Sequence, residues 1–211
     1  MMKKLLIAML ALVSIAVVAA GCGGDKKAAP AADKKVAIKV GATAVPHAEI
    51  LNHIKAGLAK DGVNMEVIEF SDYVKPNLSL NDKELDANFF QHEPYLNKFV
   101  AERKLNLVSA GKVHIEPMGI YSKKIKDINA VPNGAKIAIP NDPTNGGRVL
   151  LLLQDKGLIK LNPKAGLKAT PLDVVENPNK LRFVELDAAQ LARSLDDLDA
   201  SAINTNFAIA A

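Results

Sequence analysis

The fold is decided by residues 36–70, whose sequence is VAIKVGATAVPHAEILNHIKAGLAKDGVNMEVIEF. Residues 36–40 alternate partly and are rich in β-branched side chains, which predicts a strand. Residues 47–60 carry apolar side chains at helical spacing and stop before Asp61-Gly62, which predicts a helix. Residues 63–70 alternate again and predict a second strand. A strand–helix–strand unit favours a parallel sheet with a right-handed crossover, so the sequence predicts an α/β fold.

Two further helices and a short strand are predicted directly after this unit. Residues 73–80 predict a short helix interrupted by Pro76, and residues 85–89 predict a strand. Glu93 and Pro94 open a predicted helix through residue 103, because proline is tolerated in the first helical turn. Ligands of open α/β sheets bind beyond the carboxyl ends of the strands, so a site is expected at that edge.

Aromatic side chains are concentrated near that edge. Of the 6 Phe and 3 Tyr in the chain, six lie within residues 70–99, and residues 86–95 are DANFFQHEPY. Rings supply large apolar area with a defined orientation, so the cluster is either a corner of the core or a wall of a pocket. Composition alone favours the core, but the position after a strand makes the two interpretations equal. Phe90 is expected in the core, because it follows Phe89 and points to the opposite face of a strand.

The second half of the chain repeats the alternation of strands and helices. Strand-like patterns recur in residues 106–121, 135–139, 181–186 and 200–203. Residues 171–176 predict a helix, and Asp187 with Gln190 resembles a capping box that opens a helix through residue 195. The two β/α sets predict two lobes with a cleft between them.

The loop after residues 135–139 carries the main polar candidate. Residues 139–153 are IPNDPTNGGRVLLLL, in which Thr144 is a candidate N-cap and the apolar run predicts a buried helix. Unpaired N–H groups at a helix start attract anions. Arg148 lies in this first turn, where a cation opposes the helix dipole unless it faces a bound anion. A structural ion pair at the surface explains Arg148 equally well. The Gly-Lys-Ser/Thr ending of a phosphate loop is missing from this stretch.

The first residues predict export and lipidation. Residues 1–21 combine a basic start with an uncharged apolar run, as in a secretory signal peptide. The run is shorter than the roughly 20 residues that a membrane-spanning helix needs. Ala19-Ala20-Gly21-Cys22 looks like a bacterial lipobox, which predicts Cys22 as the lipidated residue and palmitate among its acyl groups. Residues 22–35 lack large apolar side chains and predict a flexible, lipidated tether.

Charge excludes nucleic acid as a predicted partner. The chain has 27 Lys and Arg against 23 Asp and Glu, and they are spread along the sequence. A nucleic-acid surface requires clustered basic residues.

Three stretches together resemble one known family. They are residues 88–95 (NFFQHEPY), residues 139–148 (IPNDPTNGGR), and residues 172–178 with 193–197 (LDVVENP and RSLDD). They are similar to the NlpA/MetQ family, the methionine-binding lipoproteins of ABC importers, and the resemblance covers nearly all of residues 36–206. It implies a two-lobe periplasmic-binding-protein-like architecture (type II-like), with the ligand cleft between the lobes. It implies no cofactor and no enzyme activity.

The resemblance also implies a site, a location and partners. Tyr73, Phe89, His92 and Tyr95 would surround a thioether, which packs well against ring edges. Arg148 would pair with the α-carboxylate with Asn145 nearby, and Asn204 would help to hold the zwitterionic head group. The expected protein is a monomer, lipid-anchored at the cell membrane and facing the periplasm or the cell exterior. It would deliver methionine or a similar amino acid to a permease with its ATPase.

The domain expectation follows from the same resemblance. Residues 36–112 would form lobe 1 and residues 113–206 would form lobe 2. Family members continue past the Asn-Thr segment and return to the first lobe, so residues 207–211 would begin this return. Lobe 1 is therefore expected to be incomplete without a C-terminal return.

Three other functions are alternatives to methionine binding. Glu93 beside His92 suggests acid–base chemistry, but no nucleophile with a base accompanies them. A zinc-binding lipoprotein of an ABC importer is the alternative function, although no His-Glu-x-x-His spacing exists and no metal ligand is predicted. The histidines fall in separate predicted elements (His47, His53, His92 and His114). A purely structural or adhesive surface lipoprotein would not need Arg148 in a Gly-rich helix start beside an aromatic stretch.

Overall fold

The computed structural model describes residues 35–211. The predicted signal peptide, Cys22 and all but the last residue of the predicted tether lie outside the described residues. Within residues 35–211, no helix combines the length and the apolar character that crossing a membrane requires.

The first sheet has three parallel strands, β1 (Val36–Thr43), β2 (Val63–Phe70) and β3 (Ala87–Phe89), in the order β2-β1-β3. Helix α1 (Glu49–Lys60) connects β1 to β2. The predicted strand–helix–strand unit is therefore confirmed, with β1 three residues longer than expected because its buried carboxyl end pairs fully with β2. Its core packs buried side chains of the sheet against the inner face of α1: Val40, Ala42, Leu51 and Met65.

Two helices follow β2. Helix α2 spans Lys75–Asn81, and helix α3 spans Glu93–Arg103 as the sequence predicts. Pro76 lies in the first turn of α2 and does not interrupt it, because the amide nitrogen of an early helical residue needs no intrahelical partner. Helix α3 is capped by Lys104, which follows its last residue and adopts a left-handed conformation with φ 54°.

The second sheet is mixed and has four strands. They are β4 (Met118–Tyr121), β5 (Lys136–Pro140), β8 (Arg182–Leu186) and β9 (Ala200–Asn204), in the order β4-β9-β5-β8. Strand β5 is parallel to both neighbours, whereas β4 runs antiparallel to β9. A separate ladder pairs β6 (Lys160–Leu161) with β7 (Val174–Glu176). A short helix, α5 (Thr205–Ile209), follows β9.

The core beside the second sheet forms where helix α4 (Pro143–Asp155) packs on β5. Its residues Val149, Leu150 and Leu153 are fully buried against Ile137 and Ile139 of the strand. Full burial of one such side chain contributes on the order of 1.5–3 kcal/mol, so the apolar run after Gly147 anchors the helix firmly.

Three predicted elements differ from the structure. Residues 106–117 form no strand, because their β-branched side chains Val108, Val113 and Ile115 are 73–84% exposed and pair with no sheet. Residues 171–176 form a single 3₁₀ turn followed by β7, not a helix. Residues 188–196 form two 3₁₀ turns, in which Asp187 accepts a hydrogen bond from the backbone of Ala189 and Gln190 does not complete a capping box.

Two glycines in helices allow a matched stability test. A Cβ at Gly147 of α4 would lie 2.1 Å from the Leu167 carbonyl oxygen, whereas a Cβ at the exposed Gly57 of α1 would meet nothing within 4 Å. We expect Gly147→Ala to lower the free energy of unfolding by about 1–3 kcal/mol through overpacking. We expect Gly57→Ala to raise it by roughly 0.5–1 kcal/mol through lower backbone entropy of the unfolded chain. Denaturant titration measures both, and equal effects would contradict the packing of α4 against Leu167.

Candidate functional site

The carboxyl ends of the parallel strands deliver their following residues to one pocket. His47 and Tyr73 follow β1 and β2, Phe89 ends β3, and Arg148 follows β5. The pocket is a cleft with about 550 Å³ of empty space, counted together with the open solvent at its mouth. All seven residues predicted for a ligand site line it: Tyr73, Phe89, His92, Tyr95, Asn145, Arg148 and Asn204. The structure therefore brings them together, and their contact with a ligand stays a prediction.

Asp142 organises the polar side of the pocket. Its carboxylate accepts hydrogen bonds from the backbone N–H of Asn145 at 2.9 Å and from the Asn145 side-chain amide at 2.9 Å. The N-cap of α4 is therefore Asp142 and not Thr144, whose hydroxyl donates to Asp142 instead. Pro143 provides the reason, because proline favours the first helical position and so places the cap one residue before it.

The bond from Asn145 to Asp142 fixes which way the Asn145 amide points. Its nitrogen faces the carboxylate, so its Oδ1 faces the pocket side. That oxygen accepts hydrogen bonds from Arg148 Nη1 at 3.1 Å and from Asn204 Nδ2 at 3.1 Å. One buried amide thus sets the positions of both a guanidinium and a second amide.

Arg148 is a partly buried cation without an acidic partner in the described chain. Its Nη2 donates to the backbone carbonyl of Glu116 at 2.7 Å, and within residues 35–211 no carboxylate forms an ion pair with it. Burial lowers the pKa of Arg148, with Tyr73 and the carboxylates of Asp142 and Glu116 acting in the opposite direction. The predicted alternative, a structural surface ion pair, is therefore wrong. Buried charges are normally paired, so this geometry suits an anion from outside the chain.

Asn204 lines the same pocket and has an unused acceptor. The residue is 7% exposed, and its Oδ1 is the one buried side-chain oxygen or nitrogen without a partner among the described residues. Its Nδ2 is committed to Asn145, so the amide cannot turn over without losing that bond. An unsatisfied buried acceptor costs about 1–3 kcal/mol, and a ligand donor would remove this cost.

Aromatic rings form the opposite wall. The rings of Tyr73, Phe90 and Tyr95 lie 5.9–6.1 Å apart, and the Tyr95 hydroxyl donates to the Tyr73 carbonyl at 2.9 Å. Phe90 is 7% exposed and yet lines the pocket, so it belongs to the core and the pocket wall together. This is possible because β3 ends at Phe89, which frees Phe90 from strand alternation.

A buried amide network under this wall was missed at the sequence level. Asn77 is fully buried, and its side chain exchanges hydrogen bonds of 2.8 and 2.7 Å with Gln91. Asn88 also donates to Asn77 at 2.9 Å. These bonds hold the corner between β3 and α3 that carries Phe89 and Phe90. A polar Asn inside a short predicted helix gives no signal of this role.

A carboxylate–histidine cluster was missed as well. Glu116 Oε1 lies 3.2 Å from His47 Nε2 and 3.1 Å from His114 Nε2, and Glu116 Oε2 accepts the backbone N–H of Asn206 at 3.1 Å. His47 and His114 come from separate segments, as the sequence predicts, and yet their rings are 5.2 Å apart. No local motif announces this cluster, because its members come from different parts of the chain.

Burial dominates the ionisation of the pocket. It lowers the pKa of His92 to about 4, with Arg148 acting in the same direction. It also lowers the pKa of His47, which Glu116 partly opposes, and it raises the pKa values of Tyr73 and Tyr95. At neutral pH the side chains of His92, Tyr73 and Tyr95 are therefore uncharged.

Comparison with known proteins gives one family. The profile of the NlpA lipoprotein family matches residues 38–211. The D-methionine-binding lipoprotein MetQ of Salmonella typhimurium is 48% identical over 191 residues, which are 90% of this chain and 69% of that protein. The MetQ of Escherichia coli K12 is 46% identical over 192 residues, which are 89% of this chain and 68% of that protein.

A solved structure agrees with the sequence comparison. A nutrient-binding protein from Burkholderia cenocepacia bound to methionine superposes with a TM-score of 0.79 at 53% identity. The match covers 82% of this chain and 73% of that chain. The predicted α/β fold with the two-lobe architecture of periplasmic binding proteins is thereby confirmed.

The ionisation of His92 predicts a pH-dependent stability. Its pKa is about 4 in the folded chain against 6.5 for an ordinary histidine, so the unfolded chain binds the proton first as the pH falls. The His92 contribution to the free energy of unfolding is complete above pH 6.5 and is lost progressively toward pH 4. We expect His92→Gln to flatten this part of the profile, as measured by urea unfolding across that range. Parallel profiles for variant and wild type would contradict the assignment, and an NMR titration of the His92 ring gives the pKa directly.

Proposed function

The chain belongs to the NlpA lipoprotein family, and from this premise we propose that it is the substrate-binding lipoprotein of an ABC importer. It captures methionine or a closely related amino acid outside the cytoplasmic membrane and delivers it to the permease. The MetQ relatives are named for methionine binding, and the Burkholderia protein is bound to methionine. These matches favour an amino acid over zinc as the transported ligand.

The observation that carries this proposal is the unpaired guanidinium of Arg148. It lies in the second turn of α4, beyond the first turn that Asp142 caps. The planar guanidinium suits a carboxylate, which it can bind through two parallel hydrogen bonds. The α-carboxylate of an amino acid therefore fits here, with Asn145 holding Arg148 from behind.

The ammonium of the same ligand has complementary acceptors. Asn204 Oδ1 is buried and without a partner, and the Glu116 carboxylate supplies negative charge in the same pocket. The pocket thus offers Arg148 to the carboxylate of a zwitterionic ligand and Glu116 to its ammonium, so each ligand charge has a partner of opposite sign. Glu116 joins the proposed ligand residues although the sequence did not indicate it.

The ligand side chain would lie against the aromatic wall. Tyr73, Phe89, His92 and Tyr95 offer ring edges and faces around the pocket, and sulfur contacts with aromatic rings contribute about 0.3–1.5 kcal/mol. The low pKa of His92 keeps this wall uncharged at neutral pH, which suits an apolar thioether. The same pocket offers no activated nucleophile, so we propose binding without catalysis and without a cofactor.

The location, the partners and the lobe boundary are part of the same proposal. Relatives in this family are lipoproteins, so a lipid anchor at Cys22 would hold the chain at the cell membrane, facing the periplasm or the cell exterior. It would act as a monomer with a permease and its ATPase. We place the boundary between lobe 1 (36–112) and lobe 2 (113–206) in the exposed segment without regular structure that precedes β4.

Removing the guanidinium tests the carboxylate site. Arg148→Ala should weaken methionine binding about 100-fold or more, because it leaves the ligand carboxylate buried without its partner. Arg148→Lys keeps the positive charge but loses the planar guanidinium, so its affinity for methionine should lie between those of wild type and Arg148→Ala. Arg182→Ala, at an exposed position of β8, is the matched control and should bind like wild type. Calorimetry measures affinity and circular dichroism verifies cooperative unfolding; unchanged affinity in a folded Arg148→Ala chain would refute the role.

Lipidation is tested by a second substitution. Cys22→Ser removes the thiol to which the acyl groups attach, so the chain should shift from the membrane fraction to the soluble fraction after export. Its affinity for methionine should not change, because the described pocket begins at His47. Fractionation with immunoblotting measures the shift, and continued retention in membranes would refute Cys22 as the anchor.

A further inference from the structure

The cluster of His47, His114 and Glu116 has the composition and spacing of a metal site. One nitrogen from each histidine and one carboxylate oxygen all lie within 4.8 Å of one another. The two nitrogen–oxygen distances, measured to the same Oε1, are 3.2 and 3.1 Å. Neighbouring ligands of a tetrahedral zinc ion, with bonds of about 2.0–2.2 Å, are separated by roughly 3.3–3.5 Å. The two observed distances are therefore close to those that the ion requires.

The surroundings of His47 favour its use as a ligand. The residue is 6% exposed, and its Nδ1 lies 2.7 Å from the Thr43 hydroxyl. A hydroxyl can accept the Nδ1 proton as readily as it can donate one, so Nε2 can offer its lone pair while the outer hydrogen bond remains.

His114 and Glu116 can complete the arrangement of ligands around a metal ion. His114 has a side chain that is 30% exposed and lies in the segment without regular structure, so its ring can move toward His47. Glu116 is held by the backbone N–H of Asn206 through Oε2, which leaves Oε1 directed at the two histidines. All three residues line the pocket, whose interior can supply a water as the fourth ligand.

We propose that His47, His114 and Glu116 form a site for a divalent transition-metal ion of the zinc class, in the wall of the amino-acid pocket. The metal is not the transported ligand. It occupies the carboxylate that the ammonium of a bound amino acid would use, so metal and amino acid exclude each other. Free zinc would then lower the apparent affinity for the amino acid. Binding of the metal by itself depends on the three side chains alone, whereas the exclusion rests on the proposed function.

Calorimetric titration of the purified chain with zinc chloride tests the site. The chain is prepared without a polyhistidine tag and treated with a chelator beforehand. We expect one zinc per chain, and His114→Ala should weaken zinc binding about tenfold or more. His53→Ala is the matched control, because His53 is an exposed histidine on α1 and should leave the affinity unchanged. Absence of zinc binding, or equal weakening by both variants, would overturn the proposal.

Cobalt gives a spectroscopic test that does not depend on heat signals. Co²⁺ in a tetrahedral site absorbs visible light strongly, so wild type should develop this absorption and His114→Ala should not. Glu116→Gln should also lose it, because the amide is a poor metal ligand. A cobalt spectrum that is the same in wild type and both variants would place the ion elsewhere and overturn the assignment.

Zinc titration in the presence of saturating methionine tests the exclusion. Methionine should weaken the apparent zinc affinity about tenfold or more in wild type. Zinc affinity that methionine leaves unchanged, in a chain that binds both, would overturn the exclusion. A chain that binds zinc but not methionine would support the metal site while contradicting the proposed function, so the two failures are distinguishable.

Discussion

The hydrogen bonds between Asp142 and Asn145 control the polar half of the pocket. Asp142 satisfies the first turn of α4 and, with its second oxygen, turns the Asn145 amide so that Oδ1 faces Arg148 and Asn204. Asn204 donates its Nδ2 to this oxygen, and its own Oδ1 has no partner among the described residues. A single capping carboxylate thus aligns a cation and a buried acceptor, and does so without neutralising the cation by direct contact.

Parallel strands explain why both halves of the pocket meet. Strands β1, β2 and β3 end at one edge of the first sheet, and β5 and β9 end at one edge of the second. The residues that follow these ends are the pocket residues His47, Tyr73, Arg148 and Asn206. Beyond the end of a strand, the backbone N–H and C=O groups are no longer paired within the sheet. They can therefore form hydrogen bonds with polar side chains, which this edge accepts and an apolar core would exclude.

The sequence predicted much of this and failed for identifiable reasons. Strand and helix periods placed β1, α1, β2 and α3, because apolar spacing reflects burial directly. The predicted ligand residues also meet in one pocket, because each lies at the end of a strand or in the segment that follows one. The wrong predictions concern segments whose side chains are exposed although their sequence has the pattern of a buried element. Residues 106–117 have β-branched side chains but no sheet to pair with, so β-propensity alone was misleading there.

The most consequential omission, Glu116, lies in that same segment. Its carbonyl accepts from Arg148 of α4, its carboxylate accepts from the backbone of Asn206 after β9, and its Oε1 lies beside His47 after β1. Glu116 lies outside any helix or strand, and yet it contacts residues that follow strands of both sheets. Such a contact depends on where separate elements end in space, and no periodicity along the chain records it. A ligand that changes the charge facing Glu116, whether an ammonium or a metal ion, acts on bonds to both sheets at once.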